Sequence, residues 1–281
     1  MIKYIGSKRL LIPVLGRICA TARASSVLDL FTGTTRVAQE FKRRGARVTA
    51  ADTATYSQVF GQCYIETNGE TVDRVALDRA IAELNALRGR PGYFTETFCV
   101  ASRYFQAKNG ERVDAIRDEL EERYAGTPLY PIVLTSLIEA ADRVDSTTGL
   151  QMAYLKKWAP RAHNDLELRV PDLLPGNGTA ARGDARDLVR ELGPFDLAYL
   201  DPPYNQHRYF TNYHIWETLV RWDAPEAYGI ACKRLDSRDE STKSVFNAKR
   251  QMPEALRQVV KDVDCRLVVL SYNDESWVSL E

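Results

Sequence analysis

Val27-Leu28-Asp29-Leu30-Phe31-Thr32-Gly33-Thr34 is an apolar run of strand length that ends on a threonine and glycine turn, and Val37, Ala38 and Phe41 follow it at roughly helical spacing. Gly45 closes that helix, and Arg47-Val48-Thr49-Ala50-Ala51-Asp52 reads as a second strand with an acid at its carboxyl end. Two strands joined by one helix make a βαβ unit. Its right-handed crossover places a ligand crevice at the carboxyl ends of the strands. The same buried-strand texture returns at 179–184, 196–200 and 266–272. Between the two halves the chain changes character, with helical amphipathic segments over 72–88 and 111–124 and a more apolar one over 131–144. The expected fold is α/β, a doubly wound Rossmann-like sheet with a mainly helical insertion. The sheet domain is expected to be discontinuous (1–65 and 179–281), with 66–178 as the insertion.

Composition narrows the classes. With 281 residues, 44% apolar and 27% charged, the chain has the balance of an ordinary globular protein. No stretch approaches the ~20 consecutive apolar residues of a membrane span, and Met1-Ile2-Lys3-Tyr4 lacks the apolar core of a signal peptide, so a cytoplasmic location without membrane partners is expected. The five cysteines (Cys19, Cys63, Cys99, Cys232, Cys265) stand singly, without a metal-binding spacing, and are expected to be buried reduced thiols with no metal site. Lysine and arginine number 38, as do aspartate and glutamate, which argues against coating nucleic acid by bulk charge. Within this neutral total, 231–250 is polar and net basic and reads as a mobile surface excursion. Its Lys233, Arg234 and Arg238 are candidates for tracking phosphates.

The strongest chemical signal is Asp201-Pro202-Pro203-Tyr204, directly after the strand at 196–200, where active sites of open α/β sheets lie. Two prolines also simply end strands. The combination nevertheless suits one task well. An exocyclic amine on an aromatic ring is a poor nucleophile because its lone pair is delocalised, so a site must accept its hydrogens and favour a pyramidal nitrogen. Asp201 accepts one and the Pro202 carbonyl the other, its direction fixed by the locked φ of the two prolines. Tyr204 offers a flat face for a base swung out of its stack.

Asp29 to Thr34 is a weaker signal, since a strand with a glycine turn is common, but it lacks the GxGxxG spacing of a pyrophosphate loop and favours a smaller nucleoside. Asp52 has the position from which an acid holds a ribose diol, although a solvated strand-end carboxylate explains it equally. Lys3-Tyr4-Ile5-Gly6-Ser7-Lys8-Arg9 is either an exposed basic helix start or a segment folded over the crevice, with Lys8 meeting a carboxylate and Tyr4 a ring.

Taken in order, Lys3 to Lys8, Asp29 to Thr34, Gly183-Asp184 and Asp201 to Tyr204 resemble the adenine-N6 DNA methyltransferases of the Dam-like class. Asn205 to His214, Leu270-Ser271-Tyr272-Asn273, Arg112 to Arg117 and Ala153 to Trp158 extend the resemblance toward the methylases of type IIS restriction systems, over nearly the whole chain. The resemblance implies a Rossmann-like S-adenosylmethionine-dependent methyltransferase, with the cofactor held by Tyr4, Lys8, Asp29, Phe31, Gly33, Asp52 and Asp184. It implies a target adenine held by Asp201, Pro202 and Tyr204 after base flipping, with the methyl group transferred by direct in-line attack. It further implies double-stranded DNA as partner, recognition by the insertion at a specific sequence, possible pairing with a cognate restriction endonuclease, and action as a monomer. His207 and His214 are read as loop side chains suited to phosphate, since the amine proton can leave to water without a base.

The family fold carries further strands after the Ser-Tyr-Asn stretch, whereas this sequence stops at Glu281: either something replaces the final hairpin or the chain is truncated, and a truncated sheet would expose an edge strand. Other acceptors stay open from the residues alone. Cytosine N4 is disfavoured by Asp at 201, RNA adenine is separated only by 2′-hydroxyl contacts, and a catalytically silent recognition subunit would keep the same fold. Arg103, Lys108, Arg112, Lys156 and Lys157 are candidates for DNA contacts by charge alone.

Overall fold

The structure is a computed structural model that describes residues 2–6, 8–203, 206, 208–272 and 277–278. Among them lie seven strands: β1 (Ser26–Leu30), β2 (Arg47–Asp52), β3 (Thr179–Arg182), β4 (Phe195–Leu200), β5 (Ala227–Tyr228), β6 (Lys233–Arg234) and β7 (Cys265–Leu270). The chain divides into a sheet unit (Gly6–Thr71, Leu173–Arg208, Lys243–Glu281) and a helical unit (Met1–Ile5, Val72–Asp172, Tyr209–Thr242).

In the sheet unit five parallel strands run in the order β3-β2-β1-β4-β7. From β1 the chain winds outward through β2 to β3, then returns to the other side of β1 as β4 and continues outward to β7. The reversal between β1 and β4 is the switch point at which open α/β sheets bind ligands. Alternation along the strands sorts the two faces. Leu28 and Leu30 of β1 and Ala198 and Leu200 of β4 pack with the helices Ala185–Glu191 and Met252–Asp262 through Leu188, Leu256 and Val259. On the opposite face Tyr199 meets Phe41 of the helix Arg36–Arg43 edge to face, ring centroids 6.2 Å apart. Close approach of the helix Thr55–Gly61 to β3 needs a glycine: a Cβ on Gly61 would lie 2.8 Å from that of Ala180. β7 forms one edge of the sheet, with Leu267 and Leu270 partly exposed on it.

The helical unit is built on the helices Arg74–Ala86, Ala107–Tyr124 and Tyr130–Val144, which answer to the expected helical segments. It also takes in 209–242, which the sequence pattern placed in the sheet domain. The physical reason is Arg117. Its buried guanidinium donates to the Leu219 and Val220 carbonyls at the end of the helix His214–Arg221, and to Glu121 and Tyr130 of its own neighbourhood. A cation at a helix carboxyl end satisfies carbonyls that have no helical partner.

Three expectations change here. Arg234 does not sit on a mobile excursion: it is 1% exposed, and its guanidinium makes paired 2.7 Å bonds to Asp223 and further bonds to Asp236. Arg238 lies over the Tyr228 ring at 3.9 Å, and Phe246 is buried in the core of the sheet unit. His214 is 0% exposed, bonded through Nε2 to the Gln151 carbonyl, and burial holds it down to about 3, so it stays neutral and cannot meet a phosphate. Cys19, Cys63 and Cys232 are buried, but Cys99 and Cys265 are only partly so. Arg221 also pairs with Asp223 at 3.1 Å and with Asp236 at 3.0 Å, so removing Arg234 takes away their buried partner without leaving them alone. Arg234→Ala should therefore lower the unfolding free energy by about 1–3 kcal/mol, measured by urea titration, and a loss within error of zero would contradict the burial.

Candidate active site

The site grows from the carboxyl ends of β1 and β4. Their parallel register pairs Leu30 with Leu200, so Phe31 and Asp201 leave the sheet side by side. After β1 the backbone turns sharply, with positive φ at Phe31 (68°), Gly33 (52°) and Thr35 (61°). Two of these are not glycine, so the turn carries local strain that the surroundings must offset.

Asp29 and Asp52 supply the bracing. Asp29 is 1% exposed, and its Oδ2 accepts from the Thr32 hydroxyl at 2.8 Å and the Ala38 amide at 2.9 Å. Ala38 is in the first turn of the helix Arg36–Arg43, whose own cap residue Thr35 makes no side-chain cap bond. Asp29 thus caps that helix from the neighbouring strand. Burial is the main cause that pushes its carboxyl up, to about 7, with the charges of Asp201 and Asp52 acting in the same direction and the two hydrogen bonds against it. Asp52 is half-buried. Its Oδ2 accepts from the Gly33 amide at 2.9 Å and its Oδ1 from Ala54 at 3.1 Å, and burial raises it against those bonds.

Lys8 and Asp201 form the central ion pair, Nζ to Oδ1 at 2.8 Å. The sequence suggested that Lys8 meets a carboxylate over the crevice; in the structure that carboxylate is the aspartate after β4. Burial pushes Asp201 up, and the ammonium of Lys8 opposes that shift by charge and by hydrogen bond. Asp184 follows β3 and caps the helix Ala185–Glu191 through the Arg186 amide. It pairs with the Arg186 guanidinium at 2.9 Å, which holds its carboxyl below the ordinary range. Phe31 packs edge to face on Phe246, centroids 4.9 Å apart. Phe246 belongs to the stretch expected at the surface, where an isolated Val245-Phe246 pair among polar residues was the available signal.

The structure therefore brings together Lys8, Asp29, Phe31, Gly33, Asp52, Asp184, Asp201 and Pro202 at the carboxyl end of the sheet. Tyr4 belongs to the helical unit, stacked on Tyr213 at 4.6 Å and on Tyr209 at 5.4 Å. Tyr204, His207 and Asn273 lie outside the described residues.

A parallel sheet reversed between β1 and β4, with Asp52 ending β2 and an acid after each of β3 and β4, is Rossmann-like. The chain belongs to the D12 class of N6 adenine-specific DNA methyltransferases, whose family model matches residues 4–281. It is similar to the modification methylase StsI of Streptococcus sanguinis, 31% identical over 99% of this chain and 45% of that protein. It is also similar to the type II methyltransferase M.NlaIII of Neisseria lactamica (30%, over 99% of this chain and 85% of that one) and to M.FokI of Planomicrobium okeanokoites (29%, over 97% and 44%). The chain thus spans less than half the length of StsI and M.FokI. No solved structure matches it.

Two outcomes follow from these ion states. Lys8→Met removes the charge that opposes the rise of Asp201, so the acid limb of the pH profile of kcat/KM should move to higher pH. An unmoved limb between pH 5 and 9 would show that Asp201 does not depend on Lys8. For Asp29 the folded carboxyl binds its proton more tightly than the unfolded one, so its charge destabilises the fold increasingly from about pH 4 to about pH 7. Asp29→Asn keeps an acceptor without the charge. Relative to the parent it should gain roughly 1–3 kcal/mol across that window and nothing more above it, read by urea unfolding at pH 5 and pH 8.

Proposed function

We propose that this chain transfers a methyl group from S-adenosylmethionine to N6 of adenine in duplex DNA at a specific sequence. The observation that carries the proposal is Asp201-Pro202 emerging from β4 beside the braced turn of β1, at the switch point of the sheet. The residues present fit this cofactor. Asp201 and Asp52 stand close enough to Asp29 to add to the rise of its carboxyl, a negative setting that favours a cationic sulfonium. Asp52 at the end of β2 suits a ribose diol, Phe31 the adenine face, the Gly33 turn a close backbone approach, and Asp184 the adenine amino group. S-adenosylmethionine supplies an electrophilic methyl group when bound.

The remaining work falls to the chain. Asp201, paired with Lys8, accepts one hydrogen of the target amine and the Pro202 carbonyl accepts the other, so the nitrogen lone pair is directed rather than delocalised. Tyr204 is assigned the stacking face for the extruded base by its residue type. Orientation is the main contribution, and a displaced proton leaves to water. Asp29, enclosed beneath the turn, acts as a positioning residue that fixes Phe31 and Gly33. We place Tyr4 against the cofactor on the family resemblance alone, and we assign recognition of the target sequence to the helical unit. No helix of the described residues is long and apolar enough to cross a membrane. DNA modification as a monomer in the cytoplasm, alongside a cognate restriction endonuclease, completes the proposal.

Incubation with labelled S-adenosylmethionine and duplex DNA, single-stranded DNA or RNA, followed by nucleoside digestion, tests it. N6-methyladenine in duplex DNA is expected, and methylation confined to RNA or to cytosine would refute it. Asp201→Ala should lower kcat at least 100-fold, in the range of a lost positioning group, while cofactor affinity by calorimetry stays within a few-fold. Retained turnover would remove Asp201 from the mechanism.

A further inference from the structure

Ile230 is the most exposed large apolar residue among the described residues of the helical unit, at 83%. It occupies the turn between β5 and β6, and the turn is held from several sides. Gly229 and Cys232 take positive φ (67° and 45°), and the Cys232 amide closes on the Gly229 carbonyl at 3.0 Å. At the base of the hairpin Leu235 donates to the Glu226 carbonyl, and Arg234 is buried between Asp223 and Asp236. A fixed backbone carrying an aliphatic side chain into solvent gains nothing within the fold from that side chain.

The hydroxyl of buried Tyr104 links this turn to a second element. It lies 3.1 Å from the Ala231 carbonyl and 2.7 Å from the Gln151 carbonyl, with one proton shared between them. The Tyr104 ring meets Tyr154 edge-on, centroids 5.3 Å apart. The 151–158 loop is therefore beside the turn. Next to Tyr104, Arg103 stacks on Trp158 at 4.8 Å and donates to the Lys156 carbonyl at 3.0 Å, while Lys156 and Lys157 are exposed. From Ser146 to Asn164 the sequence holds no aspartate or glutamate, and Arg161, the other strong cation there, is already paired with Asp145.

We propose that this surface is where the helical unit grips duplex DNA, with Arg103, Lys156 and Lys157 on backbone phosphates and Ile230 entering a groove as an apolar wedge against the bases. The proposal rests on the functional reading above. Charge complementarity selects the polyanion, since neutralised phosphates supply most of the affinity for DNA. The aliphatic tip adds what cations on phosphates lack: apolar side chains inserted at a base step partly unstack it, which lowers the cost of any later base extrusion. Lys108 and Arg112 are not part of the surface. Lys108 is paired with Asp165, and Arg112 donates to the Leu87 and Asn85 carbonyls.

The test compares the full chain with Lys156→Ala/Lys157→Ala, Ile230→Ala and, as a surface control, Val75→Ala. Binding to a methylatable duplex and to its single strand is followed by fluorescence anisotropy over a salt series, and methylation of the same duplex is measured in parallel. The double variant should flatten the slope of log Kd against log salt by about 0.9 for each phosphate no longer neutralised. Ile230→Ala should leave that slope unchanged and weaken duplex binding roughly three- to tenfold, with no effect on the single strand, and Val75→Ala should do nothing. Parent-like affinity and slope in both variants, with methylation of the duplex by the parent, would overturn the surface and leave the functional reading intact. Parent and variant behaviour as expected without methylation would uphold the surface and refute the reading. A parent that does not bind the duplex refutes both.

Discussion

The parallel pairing of β1 with β4 is the constraint on which the rest depends. It makes the chain reverse its winding at the centre of the sheet, and it brings the exits of two strands distant in sequence to the same level. Everything chemically notable in the sheet unit is a consequence of those two exits. The turn after β1 is bent hard enough to need positive φ at non-glycine positions, so buried carboxylates must hold it. The aspartate after β4 is drawn toward burial, which raises its carboxyl, and the ammonium of Lys8 opposes that rise.

The charge arrangement shows a division of labour. Asp29 is enclosed and braces, whereas Asp201 is partly open and paired with Lys8. One residue type therefore serves two purposes through environment alone. The helical unit uses buried charge differently. Arg117 and Arg234 are enclosed and met by carbonyls and carboxylates: Arg117 fastens 209–242 to the helix Ala107–Tyr124, and Arg234 ties 209–242 to itself through Asp223 and Asp236.

Much of the fold was legible in the sequence. The five sheet strands lie within a few residues of the runs that suggested them, and the central β1 and β4, enclosed along most of their length, show why: strands covered on both faces leave apolar stretches. The Asp201-Pro202 motif and the Asp52 strand end were legible for the same reason. What failed were statements about partners. Lys233 to Arg238 looked like a basic surface because composition registers charge and not pairing, and Asp223, which neutralises Arg234, precedes it by eleven residues. His214 looked like a loop residue because the aromatic core around it comes from the insertion, with Phe98 and Tyr104 near its ring. The membership of 209–242 was hidden similarly, since a guanidinium capping a helix leaves no periodic trace.

The two units are interlaced along the chain, which passes from one to the other after Ile5, Thr71, Asp172, Arg208 and Thr242. Neither can be finished from a contiguous stretch of polypeptide during synthesis. The helical unit must wait for the β5–β6 hairpin, β2 keeps one side unpaired until β3 arrives more than 120 residues after it, and β1 until β4 arrives more than 160 residues after it. Vectorial folding, one domain completed before the next begins, is closed to this topology. The growing chain instead carries an open β1 edge until β4 is made, at the stage when unpaired strands are most prone to association.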